Sequence, residues 1–137
     1  MLRYILPLVI LICLYPEVTS ANEASWQRYV QSGQLALQRG RHERAEKQFM
    51  AALKHAEAMG EQNPRLAITL NLLGEAYRIQ GKFLKAEPLF QRALTLGEQS
   101  LGKENPEFTR IVKNYAKLHR AQGMESKADQ LVTQYGL

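Results

Sequence analysis

The sequence predicts an all-α protein, an α-solenoid of about three helix-turn-helix repeats. The composition of the 137 residues favours helices over strands, because Ala, Leu, Gln, Glu, Lys and Arg dominate while Val and Ile are sparse. Three glycines, Gly40, Gly81 and Gly123, recur 41 and 42 residues apart. Apolar residues on either side of each glycine recur at helical intervals, which indicates two helices per period. One helix pair cannot bury both of its faces, so successive pairs are expected to stack.

The first 21 residues differ from the rest and are typical of a secretory signal peptide. Arg3 supplies a positive charge, the eleven residues from Ile5 to Tyr15 are apolar apart from one proline, and small residues follow. We expect cleavage after Ser20 or Ala21. Because a membrane-spanning helix needs about 20 apolar residues, we expect a periplasmic or secreted mature protein without a membrane span.

The single cysteine, Cys13, lies inside this apolar run. Its neighbour Ile12 lacks the small side chain that bacterial lipoprotein processing requires. We therefore do not expect lipid attachment at Cys13, which would be removed with the signal peptide. The mature domain, predicted as residues 22–137, would therefore carry no cysteine, and hence no disulfide, zinc–thiolate site or thiol nucleophile.

The mature chain is predicted to consist of repeats at about 23–62, 63–104 and 105–137. Asn63-Pro64 and Asn105-Pro106 open the second and third repeats. Asparagine is a good helix N-cap, and proline suits the first helical position. A glycine within each repeat then ends the first helix and turns the chain into the second.

Small residues occupy the same position in successive repeats, where they let paired helices approach closely. They are Gly33, Gly74 and Ala116 in the first helices and Ala45, Ala86 and Ala128 in the second helices. Phe49 and Phe90 are expected to fill the space beside them. A bulky residue at Ala86 would overpack this contact.

The second repeat resembles the tetratricopeptide repeat (TPR) superfamily in its long-repeat, kinesin-light-chain-like branch. The resemblance rests on Leu70–Tyr77, Gln80–Phe83, Ala86–Leu94 and Ser100–Pro106. The first and third repeats depart from the pattern, with Ser32 at the position of Leu73 and Tyr135 at the position of Ala93. The resemblance covers about residues 23–137. It implies a right-handed superhelix that binds other proteins and is not an enzyme.

The sequence contains no set of groups that predicts catalysis. His42, His55 and His119 fall in different predicted helices and form no metal-binding pair at i, i+4. Nucleophile-elbow and phosphate-binding patterns are also missing from the sequence. We therefore expect no enzymatic activity, no cofactor and no metal site, and we expect His119 to be a packed, hydrogen-bonded core residue.

A row of cations on one predicted helix is the main candidate for function. Arg110, Lys113, Lys117 and Arg120 share one helical face, with no acid between them. In the solenoid that the resemblance implies, first helices line a concave groove. The predicted groove set is Asn71, Arg78, Arg110, Lys113, Asn114, Lys117 and Arg120.

The hypothesis is that an acidic peptide or chain terminus binds in this groove. The resemblance implies that the Asn71 amide contacts an extended peptide backbone, and the cations would bind carboxylates. The alternative interpretation is a solvated basic face without specificity.

Two further functions compete with peptide binding. Leu131, Val132 and Tyr135 would form an apolar outer edge for self-association if the last helix leaves them exposed. The net charge of +5 also makes nucleic-acid binding a candidate function. The predicted export signal argues against that function, as do aromatic residues that fall at core spacings, so we expect no nucleic-acid partner.

Overall fold

The computed structural model describes residues 16–137, and most of the predicted signal peptide lies outside this range. The described chain folds into six α-helices without a strand, which confirms the all-α prediction. The helices are α1 (Pro16–Gln38), α2 (His42–Ala58), α3 (Pro64–Ile79), α4 (Phe83–Ser100), α5 (Pro106–Ala121) and α6 (Glu125–Gln134). Consecutive helices pack on each other, and α3 also contacts α5. The chain is therefore a stack of three helix pairs.

The helix boundaries follow from local sequence. The Asn63 side-chain oxygen accepts a hydrogen bond from the Arg65 amide at 3.0 Å, and Asn105 does the same for Glu107 at 2.8 Å. Both caps precede a proline at the first helical position, as predicted. Gly81 ends the first helix of the second repeat at φ +73°, in the left-handed region that residues with a side chain rarely adopt.

The core lies between the helix layers and runs through the stack. Phe49 and Phe90 are completely buried, as are Ala45, Ala86 and Ala128. Gly74 lies against the Phe90 ring, and an added Cβ would come within 3.1 Å of it. The small residues therefore make room for the large ones, as the repeat pattern predicts.

Helix α1 runs through the predicted signal-peptide cleavage site at Ser20 and Ala21. Both of these residues are exposed. The next two residues contact other helices: the Asn22 side-chain oxygen lies 2.9 Å from His55 Nδ1, and Glu23 forms an ion pair with Arg65. Cleavage at the predicted site would leave these contacts intact. The signal peptide stays a prediction.

Candidate functional site

The seven predicted groove residues lie on α3 and α5, which contact each other directly. The two asparagines are buried between these helices. Asn71 is 1% exposed, Asn114 is 8% exposed, and Asn114 Nδ2 donates a hydrogen bond to Asn71 Oδ1 at 3.2 Å. Their amides thus join α3 to α5 in this structure, and little of Asn71 is open to a peptide backbone.

Arg78 is held by its own helix. Its guanidinium donates to both carboxylate oxygens of Glu75, at 2.8 and 2.7 Å. These hydrogen bonds raise the pKa of Arg78 above its ordinary value and outweigh the opposing effect of burial. A bidentate pair of this kind holds the guanidinium in one orientation.

The two arginines at the ends of the α5 row also have acidic partners. Arg110 pairs with Glu107 at 3.3 Å. Arg120 pairs with Glu125 at 3.3 Å and with Asp129 at 3.1 Å, both on α6. No acid lies between Arg110 and Arg120 in the sequence, but acids outside that segment neutralise both ends of the row.

Lys113 and Lys117 form the central part of the row. Both are exposed, one helical turn apart on α5, and no acid within residues 19–137 forms an ion pair with either. Of the seven predicted residues, these two lysines are therefore the positive charges most available to a partner. The predicted groove set left out the acids Glu75, Glu107, Glu125 and Asp129, although the i,i+3 spacing of Glu75–Arg78 and Glu107–Arg110 signals two of the pairs.

The remaining polar groups of interest are the metal-binding residue types and His119. Among the described residues, no three His, Cys, Asp or Glu side chains are placed to hold a metal ion. His119 is 8% exposed and packs 4.5 Å from the Tyr115 ring, which confirms that it is a core residue but not that it is hydrogen-bonded. Its Nδ1 atom has no hydrogen-bond partner.

Leu131, Val132 and Tyr135, which the sequence predicted as an apolar edge, are half-buried, whereas Leu137 at the C-terminus is 45% exposed. Leu131 packs against the core, and the Tyr135 ring meets Phe108 edge-on at 5.2 Å. The Tyr135 hydroxyl donates to Glu98 at 3.3 Å. The outward positions of α6 carry Ser126, Asp129, Gln130, Thr133 and Gln134. The three residues on which the self-association hypothesis rests are thus only partly exposed, and self-association stays a prediction.

Three stacked helix pairs with a repeated pattern of buried residues define a helical-repeat protein. The tetratricopeptide repeat family model matches residues 27–99 and again residues 65–135, which together span most of the chain. The chain belongs to the tetratricopeptide repeat family. Repeats of this family generally mediate protein–protein interaction and are typically non-catalytic.

A solved structure supports the same fold. The crystal structure of the TPR domain of Arabidopsis FLU is similar over 83% of this chain and 93% of that chain, with a TM-score of 0.71 and 19% sequence identity. At this identity the similarity concerns the fold alone. A comparison with functionally curated proteins gave no match. None of the helices within residues 16–137 is both long and apolar enough to cross a membrane.

Proposed function

We propose that the protein is a non-enzymatic binding module that holds an acidic peptide or chain terminus on the face formed by α3 and α5. The observation that carries this proposal is the pair of exposed lysines, Lys113 and Lys117, without acidic partners in the described chain. The arginines at the two ends of the row already form ion pairs with acids of this chain. A partner's carboxylates would therefore bind mainly to the two lysines at the centre of the row.

The buried asparagine pair gives this face a rigid base. Asn71 and Asn114 are hydrogen-bonded across the α3–α5 contact, which fixes the position of α5 relative to the second repeat. A peptide lying along the lysines would therefore meet a preformed surface. Each exposed ion pair contributes only about 0.2–1 kcal/mol, so several contacts must act together.

The test is a titration of fluorescent Glu-rich peptides at two salt concentrations. We expect Lys113→Glu/Lys117→Glu to weaken binding by roughly 2- to 30-fold at low salt, as two exposed ion pairs are lost. The effect should shrink as salt screens the charges. The matched control is Lys47→Glu/Lys127→Glu, which changes the net charge equally at exposed positions on α2 and α6. Equal affinities for all three proteins, or binding that ignores salt, would overturn the proposal.

We also propose that the protein is exported and loses residues 1–20 or 1–21. The pattern of charge, apolar run and small residues supports this, and cleavage after Ser20 or Ala21 would keep the contact of Asn22 with His55. Intact mass of the protein isolated from its native host is the test. A mass that corresponds to all 137 residues would overturn the proposal.

A further inference from the structure

An apolar groove lies between the second helices of the first two repeats, away from the lysines of α5. We call it the Met50–Leu84 groove. Its volume is about 560 Å³. Leu73 and Tyr77 of α3 form its floor, α2 contributes Met50 and Leu53, and α4 contributes Leu84 and Pro88. Leu84 is 91% exposed and Met50 is 46% exposed, so both project into solvent.

The repeat supplies an internal comparison for these exposed apolar residues. At the position of Leu84 the other repeats have Glu43 and Ser126. At the position of Met50 they have Gln91 and Thr133. All four of these residues are exposed and polar.

The position of Pro88 follows the same rule, with Lys47 and Gln130 in the other two repeats. Each of the three positions is thus apolar once and polar twice, and the three apolar choices line the same groove. The fold does not require an apolar residue at any of them, because the other repeats form the same helices with polar ones. An exposed apolar cluster that the fold does not require marks an interaction surface.

The charges beside the groove indicate what it binds. Lys54 stands on the α2 side and Lys85 on the α4 side, both exposed. Neither forms an ion pair within the described residues, and Lys85 Nζ lies 5.5 Å from the centroid of the Tyr77 ring. Glu57 also lines the groove, but it forms an ion pair with Arg92 at 3.3 Å. The groove therefore offers an apolar centre between two lysines that have no ion-pair partner within the described residues.

The backbone of α4 adds a hydrogen-bond acceptor at the same place. Pro88 is inside the helix and has no N–H, so the Leu84 carbonyl lacks its usual donor four residues later. A partner's donor could reach this oxygen beside the exposed Leu84 side chain.

We propose that the Met50–Leu84 groove is a second docking surface, which binds an amphipathic segment of another protein whose apolar side chains are flanked by carboxylates. The complementarity of charge favours this occupant. A second copy of the chain carries a net charge of +5 and would be repelled. The first fifteen residues of the chain contain one charged residue, Arg3, and no acid, so they cannot pair with the two lysines.

The probe is a fluorescent helical peptide of Leu and Glu, with the leucines on one face. We expect it to bind the wild type and to bind Met50→Gln/Leu84→Ser roughly ten-fold or more weakly, because these changes remove the apolar anchors. Both substitutions introduce the residue found at the same position in a neighbouring repeat, and both sites are exposed, so folding should be preserved. Gln91→Ala/Ser126→Ala, at the corresponding positions one repeat later, is the matched control and should bind as the wild type does.

Two further variants separate this surface from the α3–α5 face. Lys54→Glu/Lys85→Glu should weaken binding of the Leu–Glu peptide, whereas Lys113→Glu/Lys117→Glu should leave it within about two-fold. Loss of binding only in the second variant would place the peptide on α5 and overturn the proposal, whether or not Glu-rich peptides bind there.

Other outcomes also overturn it. These are failure of the wild type to bind the Leu–Glu peptide, and equal binding by Met50→Gln/Leu84→Ser. If phosphatidylglycerol vesicles bind through Leu84 while the peptide does not, the occupant is a membrane surface. If ultracentrifugation finds a dimer that Met50→Gln/Leu84→Ser dissociates, the occupant is a second copy.

Discussion

The Met50–Leu84 groove and the corresponding surface one repeat later share their deeper residues and differ at their outer ones. Leu53 and Leu89 correspond to Leu94 and Leu131, and all four are half-buried against the core. The outer apolar residues instead give way to polar ones at equivalent positions. This contrast indicates that the fold requires apolar residues at the inner positions of each repeat. The outer positions are free to vary and can therefore determine which partner binds.

The floors of the two surfaces differ in a second way. Leu73 lies at the floor of the Met50–Leu84 groove, and its equivalent one repeat later is Tyr115. The Tyr115 hydroxyl donates to Glu87 of α4 at 2.6 Å, and its ring stacks 5.8 Å from Phe90. At this position the later surface therefore carries a polar link between α5 and α4, whereas the first groove has the apolar side chain of Leu73.

The largest expected effect tests whether the buried core, or inner layer, is equivalent in the first and second repeats. Phe49 and Phe90 are completely buried at the same repeat position. Truncating either to Ala should cost about 3–5 kcal/mol of unfolding free energy, through lost burial and a residual cavity. Urea unfolding followed by circular dichroism gives the measurement. A loss below about 1 kcal/mol for one of them would show that the inner layers are not equivalent.

A smaller effect is expected where glycine lies against these rings. A Cβ on Gly33 would overlap the Phe49 ring, whereas a Cβ on Gly74 would lie 3.1 Å from the Phe90 ring. We expect Gly33→Ala to destabilise the protein by about 1–3 kcal/mol through overpacking. Gly74→Ala should cost less, because a gain in helix propensity of up to about 1 kcal/mol offsets a milder contact.

The third repeat provides the control for this prediction. Ala116 holds the glycine position there, and Val132 replaces the phenylalanine. In the third repeat an alanine in place of glycine is thus matched by a valine in place of phenylalanine. We therefore expect Phe49→Val to recover part of the unfolding free energy lost in Gly33→Ala when the two changes are combined. Thermal or urea unfolding of the four proteins measures the coupling. Strictly additive losses would contradict the proposed contact.

The sequence predicted the helix pairs because their determinants are local and repeated. Asn63 and Asn105 predict where two helices begin, and Gly81 predicts a turn. The 41- to 42-residue period places Phe49 and Phe90 at the same repeat position. The assignment to the long-repeat, kinesin-light-chain-like branch stays a prediction.

The candidate site was harder to predict, because it depends on which charges meet across helices. Periodicity placed Lys117 and Arg120 on one helical face, but only the packing of α6 brings Asp129 to Arg120. Burial of Asn71 against Asn114 likewise arises from the α3–α5 contact. The Met50–Leu84 groove could have been found by comparing outer positions across the repeats, and not by searching for known motifs.

The smallest expected effect concerns Tyr115 and its hydrogen bond to Glu87. The contribution of Tyr115 to the unfolding free energy should depend on pH in a direction that can be stated. Burial, followed by the hydrogen bond to Glu87, raises the pKa of Tyr115 to about 12 from an ordinary value of 10.0. Because the folded state favours the protonated phenol, this stabilisation is complete below pH 10 and is lost as the pH rises toward 12. Tyr115→Phe should cost about 1 kcal/mol near pH 7, the net contribution of one such hydrogen bond.

The difference in unfolding free energy between wild type and Tyr115→Phe should then shrink between pH 10 and about 12, as the unfolded phenol ionises first. Taking the difference cancels the titration of lysines, which both proteins share. Urea unfolding at pH 7, 9, 10 and 11 provides the curve. A difference that stays constant over this range would mean that Tyr115 contributes only its ring, and that the two floors differ in shape but not in polarity.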